Sequence, residues 1–308
     1  MNWLFIALLA PILWAATNHI DKLLVSRYFK GSTIGALAIF SSLIGLVILP
    51  IIYIVNPNVL TIGFSNALLL VLSGFFYIIA TVIYLYAIQK DEASIVVPLF
   101  QTIPIFSYVL ALIFLNEQLN TGQILAGLVI IFGAIILTLE LNLSQKVKFK
   151  ADVFWLMMAS SFVYSLNLFL FKFVGISGGF WQTSFWEYFG FIVAAGIIWI
   201  FIPKWRQDFL NILNGFKSNA LNIFSINALN ETLNIVAKMI FNFASLLAPL
   251  ALVSLVNGFQ PIFVFIFGII LTLLWPSLGK ESITKKDLVQ KFIAIVIILF
   301  GAYLIQIQ

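Results

Sequence analysis

Long apolar runs separated by short polar breaks dominate the chain. From Ile34 to Val55 and from Ile124 to Leu139 the runs are nearly continuous, without the period-two alternation of a half-buried strand or the one-sided stripe of a surface helix. A helix needs ~20 mostly apolar residues to cross a bilayer. The pattern predicts ten such spans: Trp3–Leu24, Ile34–Val55, Ala67–Gln89, Ser94–Leu115, Ile124–Glu140, Val153–Val174, Trp181–Ile202, Ala220–Asn242, Ala248–Trp275 and Leu288–Ile305. The breaks Asn56-Pro57-Asn58, Gly178-Gly179 and Trp275-Pro276-Ser277 hold residues that end helices. Strands of a membrane barrel alternate over ~10 residues, so the continuous runs predict an all-α membrane protein built as a helical bundle. No linker is long enough to separate soluble domains.

Composition narrows the class. Of 308 residues, 63% are hydrophobic and 9% charged, against about 45–50% and about 25% in soluble domains. So few charges cannot cover a water-facing surface, which excludes a soluble enzyme, a nucleic-acid partner and a disordered tail. A multi-pass integral protein of the plasma (cytoplasmic) membrane is expected. Cysteine is absent and His19 is the one histidine, so disulfides, thiolate chemistry and a multi-histidine metal site are excluded. No phosphate loop, nucleophile–base pair or acidic metal cluster is present. The expectation is therefore no enzyme, no cofactor and no metal, with any energy drawn from a gradient or from exchange. The first apolar segment follows no basic residues and runs into Asn18, Asp21 and Lys22, so it reads as a retained span rather than a cleaved signal.

The chain also repeats itself. Ser65-Asn66-Ala67-Leu68 returns as Ser218-Asn219-Ala220-Leu221, Pro104-Ile105-Phe106 as Pro261-Ile262-Phe263, and Phe132-Gly133-Ala134 as Phe300-Gly301-Ala302, at offsets of 153, 157 and 168. The order is kept while the offset grows. This predicts two five-helix repeats, residues 1–145 and 146–308. Five is odd, so the halves insert with opposite orientation. Inverted repeats meeting at the bilayer midplane are a recurrent plan of secondary transporters.

Between Ala87 and Leu137 the residues Ala93-Ser94-Ile95-Val96-Val97-Pro98, Pro104-Ile105-Phe106, Leu115-Asn116-Glu117-Gln118-Leu119, Gly127 and Gly133-Ala134 stand in order. This stretch resembles the EamA-type half of the drug/metabolite transporter superfamily. In the second half Pro261 and Gly301 fit that pattern, and Glu281 would correspond to Glu117 after an insertion at Pro276–Lys280. The resemblance implies a ten-helix metabolite carrier with a central cavity lined mainly by helices 1, 3, 4, 6, 8 and 9.

Loop charge bears on orientation. Arg27, Lys30, Lys90, Lys146, Lys148, Lys150, Lys204, Arg206, Lys217, Lys280, Lys285 and Lys286 all follow odd-numbered spans, whereas the even loops hold only the flanking Lys172 and Lys238. Cytoplasmic loops carry the Lys/Arg excess, which places both termini outside. The family resemblance implies both termini inside.

Ionisable residues deep in a span cost ~2.5–3.5 kcal/mol each and face cavities or partners. Span 8 carries Asn227, Asn230, Glu231, Asn234 and Lys238, which at about 100° per residue fall within an arc of roughly 100°. Such a stripe faces the bundle interior or water. It is either a binding surface with Glu231 as a cation or proton site, or a polar network holding helices together. Repeat alignment sets Asn234 level with Tyr77, Lys238 with Thr81 and Phe241 with Tyr84. The Tyr77–Thr81–Tyr84 stripe of span 3 is then an aromatic wall or simply packing. An organic cation would use both walls, through ring quadrupoles and the carboxylate. Asn257 and Gln260 precede Pro261, as Gln101 precedes Pro104. They either satisfy carbonyls freed by proline or mark a hinge or binding point. In span 1, Asn18 and Lys22 are read as sharing a face, with His19 and Asp21 off it. Asn167 and Lys172 occupy similar positions in span 6. Glu187 lies among Trp181, Gln182 and Trp186 and reads as shallow, with Lys172 as a candidate partner. Glu117 and Glu281, near span starts, suit the helix dipole, and Glu140 reads as interfacial.

The expected function is secondary transport of a small polar or amphipathic metabolite, an amine or amino-acid-like solute being favoured, by alternating access. Protons or a counter-substrate are the candidate coupling partners. The rivals are a membrane-embedded lipid carrier or enzyme and a non-transporting scaffold.

Overall fold

The computed structural model describes residues 3–24, 34–90, 96–138, 151–215, 220–274 and 285–307. Among these the protein is helical, without strands. Arg27, Lys30, Lys146, Lys148, Lys150, Lys217, Lys280, Glu140 and Glu281 lie outside the described residues, as do the side chains of Lys22, Lys285 and Lys286.

Helix α1 spans Trp3–Leu23. The next apolar run divides at Ile44 into α2 (Ile34–Leu43) and α3 (Gly45–Val55). After it the Asn56 side chain accepts the Asn58 N–H at 3.1 Å and starts a short 3-10 turn. Helix α4 covers Phe64–Lys90. Span 4 begins as a 3-10 segment, Val97–Thr102, and becomes α-helical only as α5 (Ile103–Phe114), with Pro104 in its first turn. There the missing N–H of proline is harmless. Asn116 follows with φ 53°, a conformation Asn tolerates better than most residues. Helix α6 is Thr121–Thr138, α7 Ala151–Gly178 and α8 Phe180–Phe201. The α7–α8 turn is made by Gly179 alone, at φ 79° and ψ 161°, a region open essentially to glycine.

Helix α9, Pro203–Gly215, lies where the sequence reading placed a loop. It is amphipathic: Phe209 packs on Phe40 and Trp199 while Lys204, Gln207 and Asn211 face outward. Helix α10 is Ala220–Ser245. Span 9 is again interrupted, as α11 (Leu250–Leu255), a 3-10 turn (Val256–Phe259) and α12 (Gln260–Leu274), and α13 is Lys285–Gln306.

Seven segments are long and apolar enough to cross a membrane: α1, α2 with α3, α4, α7, α8, α11 with α12, and α13. The α5 and α6 regions are apolar but shorter. Helix α10 has 26 residues, yet Asn227, Asn230, Glu231, Asn234 and Lys238 lower its hydropathy. The ten-span expectation thus exceeds the seven segments that meet the length and hydropathy criterion, and polar content is the reason α10 falls short.

Helix α4 packs on α7 and α8, α1 on α10 and α12, α5 on α7, and α6 on α13. The α4–α8 contact brings backbones together, since a Cβ on Gly74 would strike the Glu187 carbonyl oxygen and one on Gly190 the Val71 carbonyl oxygen. Small residues permit this approach where lipid supplies no hydrophobic drive between helices. Among the described residues, large apolar side chains face outward while several polar and charged ones lie inside. Phe5, Ile54, Phe201, Leu273 and Phe292 are exposed, whereas Asn167, Glu187, Lys238 and Asn242 are buried.

Candidate functional site

The polar face of α10 opens on a cavity of about 190 Å³. Asn227, Asn230, Glu231 and Asn234 line it from α10, Asn18 and Asp21 from α1, and Tyr77, Thr81 and Tyr84 from α4. The interrupted spans add Gln101, Asn257 and Gln260. Continuous helices would direct these amides along one stripe each, whereas the 3-10 segments let Gln101 and Asn257 reach the same void from two sides.

The hydrogen bonds join different helices. Ser41 Oγ donates to Glu231 Oε1 at 2.6 Å, and Asn230 Nδ2 donates to Asp21 Oδ1 at 2.7 Å. Trp14 Nε1 donates to Asn234 Oδ1 at 2.9 Å, and Asn234 Nδ2 to the Tyr77 hydroxyl at 3.2 Å. Tyr77 stacks on Phe191 with centroids 4.8 Å apart, and Tyr84 meets Phe100 at 4.9 Å. Gln101 Oε1, Asn230 Oδ1 and Asn257 Oδ1 are buried acceptors with no partner. Two carboxylates face the void, and among its described lining residues none is Lys, Arg or His.

Of the residues singled out in the sequence, Glu231, Asn227, Asn230, Asn234, Asn257, Gln260, Gln101, Tyr77, Tyr84 and Asn18 line this cavity. Lys238 and Asn167 do not, and their placement as lining residues is corrected. Lys238 lies behind the aromatic wall, its Nζ 4.3 Å from the Tyr77 ring centroid, 3.0 Å from Glu187 Oε1 and 3.1 Å from Asn167 Oδ1. Asn167 Nδ2 also donates to Glu187 Oε1 at 2.6 Å and to the Ser73 carbonyl at 3.0 Å, and Asn242 Nδ2 to Glu187 Oε2 at 2.8 Å. Glu187 is fully buried within the bundle. The tryptophans beside it mark the interface, but its own face of α8 turns inward.

Lys172 pairs not with Glu187 but with Glu117, and it donates to the Ala248 carbonyl at 2.6 Å. Glu117 Oε2 accepts the Leu250 N–H at 2.7 Å. It thus serves the first turn of α11 rather than that of its own following helix α6. His19 Nε2 meets the Val264 carbonyl at 2.9 Å.

Sequence reading set Asp21 off the Asn18 face, yet both line the cavity. Residues three apart are neighbours on a helix surface, so the spacing carried the signal. Trp14, Ser41 and Tyr164 also line the cavity. Nothing in their local sequence distinguishes them from packing residues.

The cavity occupies one half of the bundle. It is lined by Ser160 and Tyr164 of α7, whereas Lys172 and the Lys238–Glu187 pair lie further toward the end that holds the Gly179 turn. That end is closed by buried ion pairs and core side chains such as Leu168 and Phe241.

The chain is a multi-pass integral membrane protein organised around a polar cavity. Residues 1–139 match the EamA-like transporter family. The stretch between Ala87 and Leu137 that resembles this family lies inside the matched residues. An uncharacterized protein of Methanocaldococcus jannaschii is 29% identical over 99 residues, which are 32% of this chain and 72% of that protein. A crystal structure aligns with a TM-score of 0.67 over 99% of this chain and 97% of its own, at 13% identity. That similarity is one of fold.

Proposed function

We propose that the protein is a ten-span secondary transporter of the plasma membrane. Two inverted repeats, residues 1–145 and 146–308, would carry a small amine or amino-acid-like metabolite by alternating access, with protons or a counter-substrate as coupling partner. The observation that carries this reading is a cavity between the helices with two carboxylates and no described basic lining residue, with the Lys172–Glu117 and Lys238–Glu187 ion pairs further toward one end. Such a void is costly in a bundle that needs only to be stable, because interhelical hydrogen bonds supply just ~0.6–2 kcal/mol each.

The packing pattern supports the two-repeat scheme. Exchanging the halves turns the α4–α7 pair into α10–α1 and the α5–α7 pair into α12–α1, and maps α6–α13 onto itself; all of these pairs are in contact. The α4–α8 pair would map onto α10–α2. There Ser41 reaches Glu231, but the close packing of α4 on α8 has no counterpart among the described residues. Alternating access requires a single state to depart from symmetry in this way. A rocking motion would then break the ion pairs of the closed end.

Uptake of a labelled metabolite panel into proteoliposomes, with and without an imposed proton gradient, tests the proposal. Saturable uptake of a cationic or zwitterionic solute above empty liposomes is the expected result. Absence of uptake for every solute, by folded protein, would leave the scaffold reading.

A further inference from the structure

The cavity holds two acidic groups where one would suffice for a simple amine. Asp21 comes from α1 and Glu231 from α10, and both face the same void. The buried Lys238 is committed to Glu187 behind the Tyr77 ring. Charges removed from bulk water require compensation. A single ammonium group compensates one carboxylate and leaves the other unmatched. A zwitterion adds a third carboxylate to a wall already bearing two.

A second observation points to a ligand rich in N–H donors. Gln101 Oε1 and Asn230 Oδ1 are without partners, on residues only 4% and 5% exposed. Both residues belong to the cavity wall. A buried acceptor left unmatched costs about 1–3 kcal/mol, and an ammonium group offers three donors. The same wall carries the rings of Trp14, Tyr77 and Tyr84. This suits a methylene stem and the flanking positive charge. A hard divalent metal ion is bound mainly through several carboxylate and other oxygen ligands, and among the described residues no group of three or more His, Asp or Glu stands together.

We propose that the cavity is a two-carboxylate site for an organic dication, a short diamine whose ammonium groups are received by Asp21 and Glu231. This rests on the transport reading and narrows its substrate class, with Asp21 as the residue that sets specificity between two charges and one.

Equilibrium binding of tetramethylenediamine, butylamine and aminobutyrate to the purified full chain tests it. The diamine is expected to bind at least about tenfold tighter than butylamine, as coupling energies of close charge pairs allow. Asp21→Asn should bring the diamine down to the butylamine level, so that the ratio of the two affinities in the variant falls to about one. Equal affinities of diamine and butylamine for the wild-type protein would overturn the proposal. So would an Asp21→Asn variant that keeps the preference. The wild-type ratio decides the matter even if the variant does not fold. Because the ratio is read from binding, its failure is separate from that of the transport reading, which fails only if no solute is taken up.

Discussion

Glu231→Gln is expected to lower uptake of the transported solute by more than about tenfold, the effect of losing a desolvated charge partner. Glu231 is 7% exposed, faces the cavity and accepts from Ser41 Oγ at 2.6 Å. Glutamine keeps the volume and an acceptor oxygen but removes the negative charge, so packing is largely retained and the measurement isolates electrostatics. Initial rates in proteoliposomes, normalised to folded protein, provide the check. If uptake also responds to a proton gradient in the wild type, the variant should lose that response. Unchanged uptake by Glu231→Gln would remove Glu231 from the binding machinery.

The second large effect falls on stability. Lys238→Met is expected to destabilise the protein by about 3–5 kcal/mol, as removal of one partner of a buried ion pair does. Lys238 is 2% exposed and Glu187 is fully buried, with 3.0 Å between Nζ and Oε1. After the substitution the Glu187 carboxylate would keep Asn167 and Asn242 as donors but no opposite charge. Methionine approximates the stem, so the loss is that of the ammonium group and of its position under the Tyr77 ring. Removing both charges, as Lys238→Met with Glu187→Gln, should recover most of the stability, because no uncompensated charge then remains. Thermal unfolding in detergent of the single and double variants is the measurement. Equal destabilisation by both would mean that the pair is not coupled.

The legible and illegible parts of this molecule differ in range. The α10 stripe could be read because Asn227, Asn230, Glu231 and Asn234 recur at helical spacing in a segment that otherwise belongs in lipid. Gln101 and Asn257 were marked by the prolines that follow them. Partner choice was not legible. Lys238 and Glu187 meet across α10 and α8, and Lys172 meets Glu117 across separate spans, pairings fixed by tertiary packing alone. Glu187 shows how far a local rule reaches. Neighbouring tryptophans predict depth along the membrane normal but not which way a helix face turns. Helix α9 escaped because its apolar positions, Trp205, Phe209 and Leu213, are spaced for an amphipathic helix, too polar on average for a search tuned to spans.

The account depends on water and solute reaching the space between α1, α4 and α10. The chain has no cysteine, so Thr81→Cys, on the cavity wall, gives a single thiol. Its labelling rate with a water-soluble thiol reagent in proteoliposomes, with and without transported solute, is the most direct measurement. The account predicts labelling at least about tenfold faster than at the outward-facing control Leu72→Cys, because thiolate chemistry requires water, and protection by solute. Labelling of Thr81→Cys no faster than the control, or a rate indifferent to solute, would contradict it.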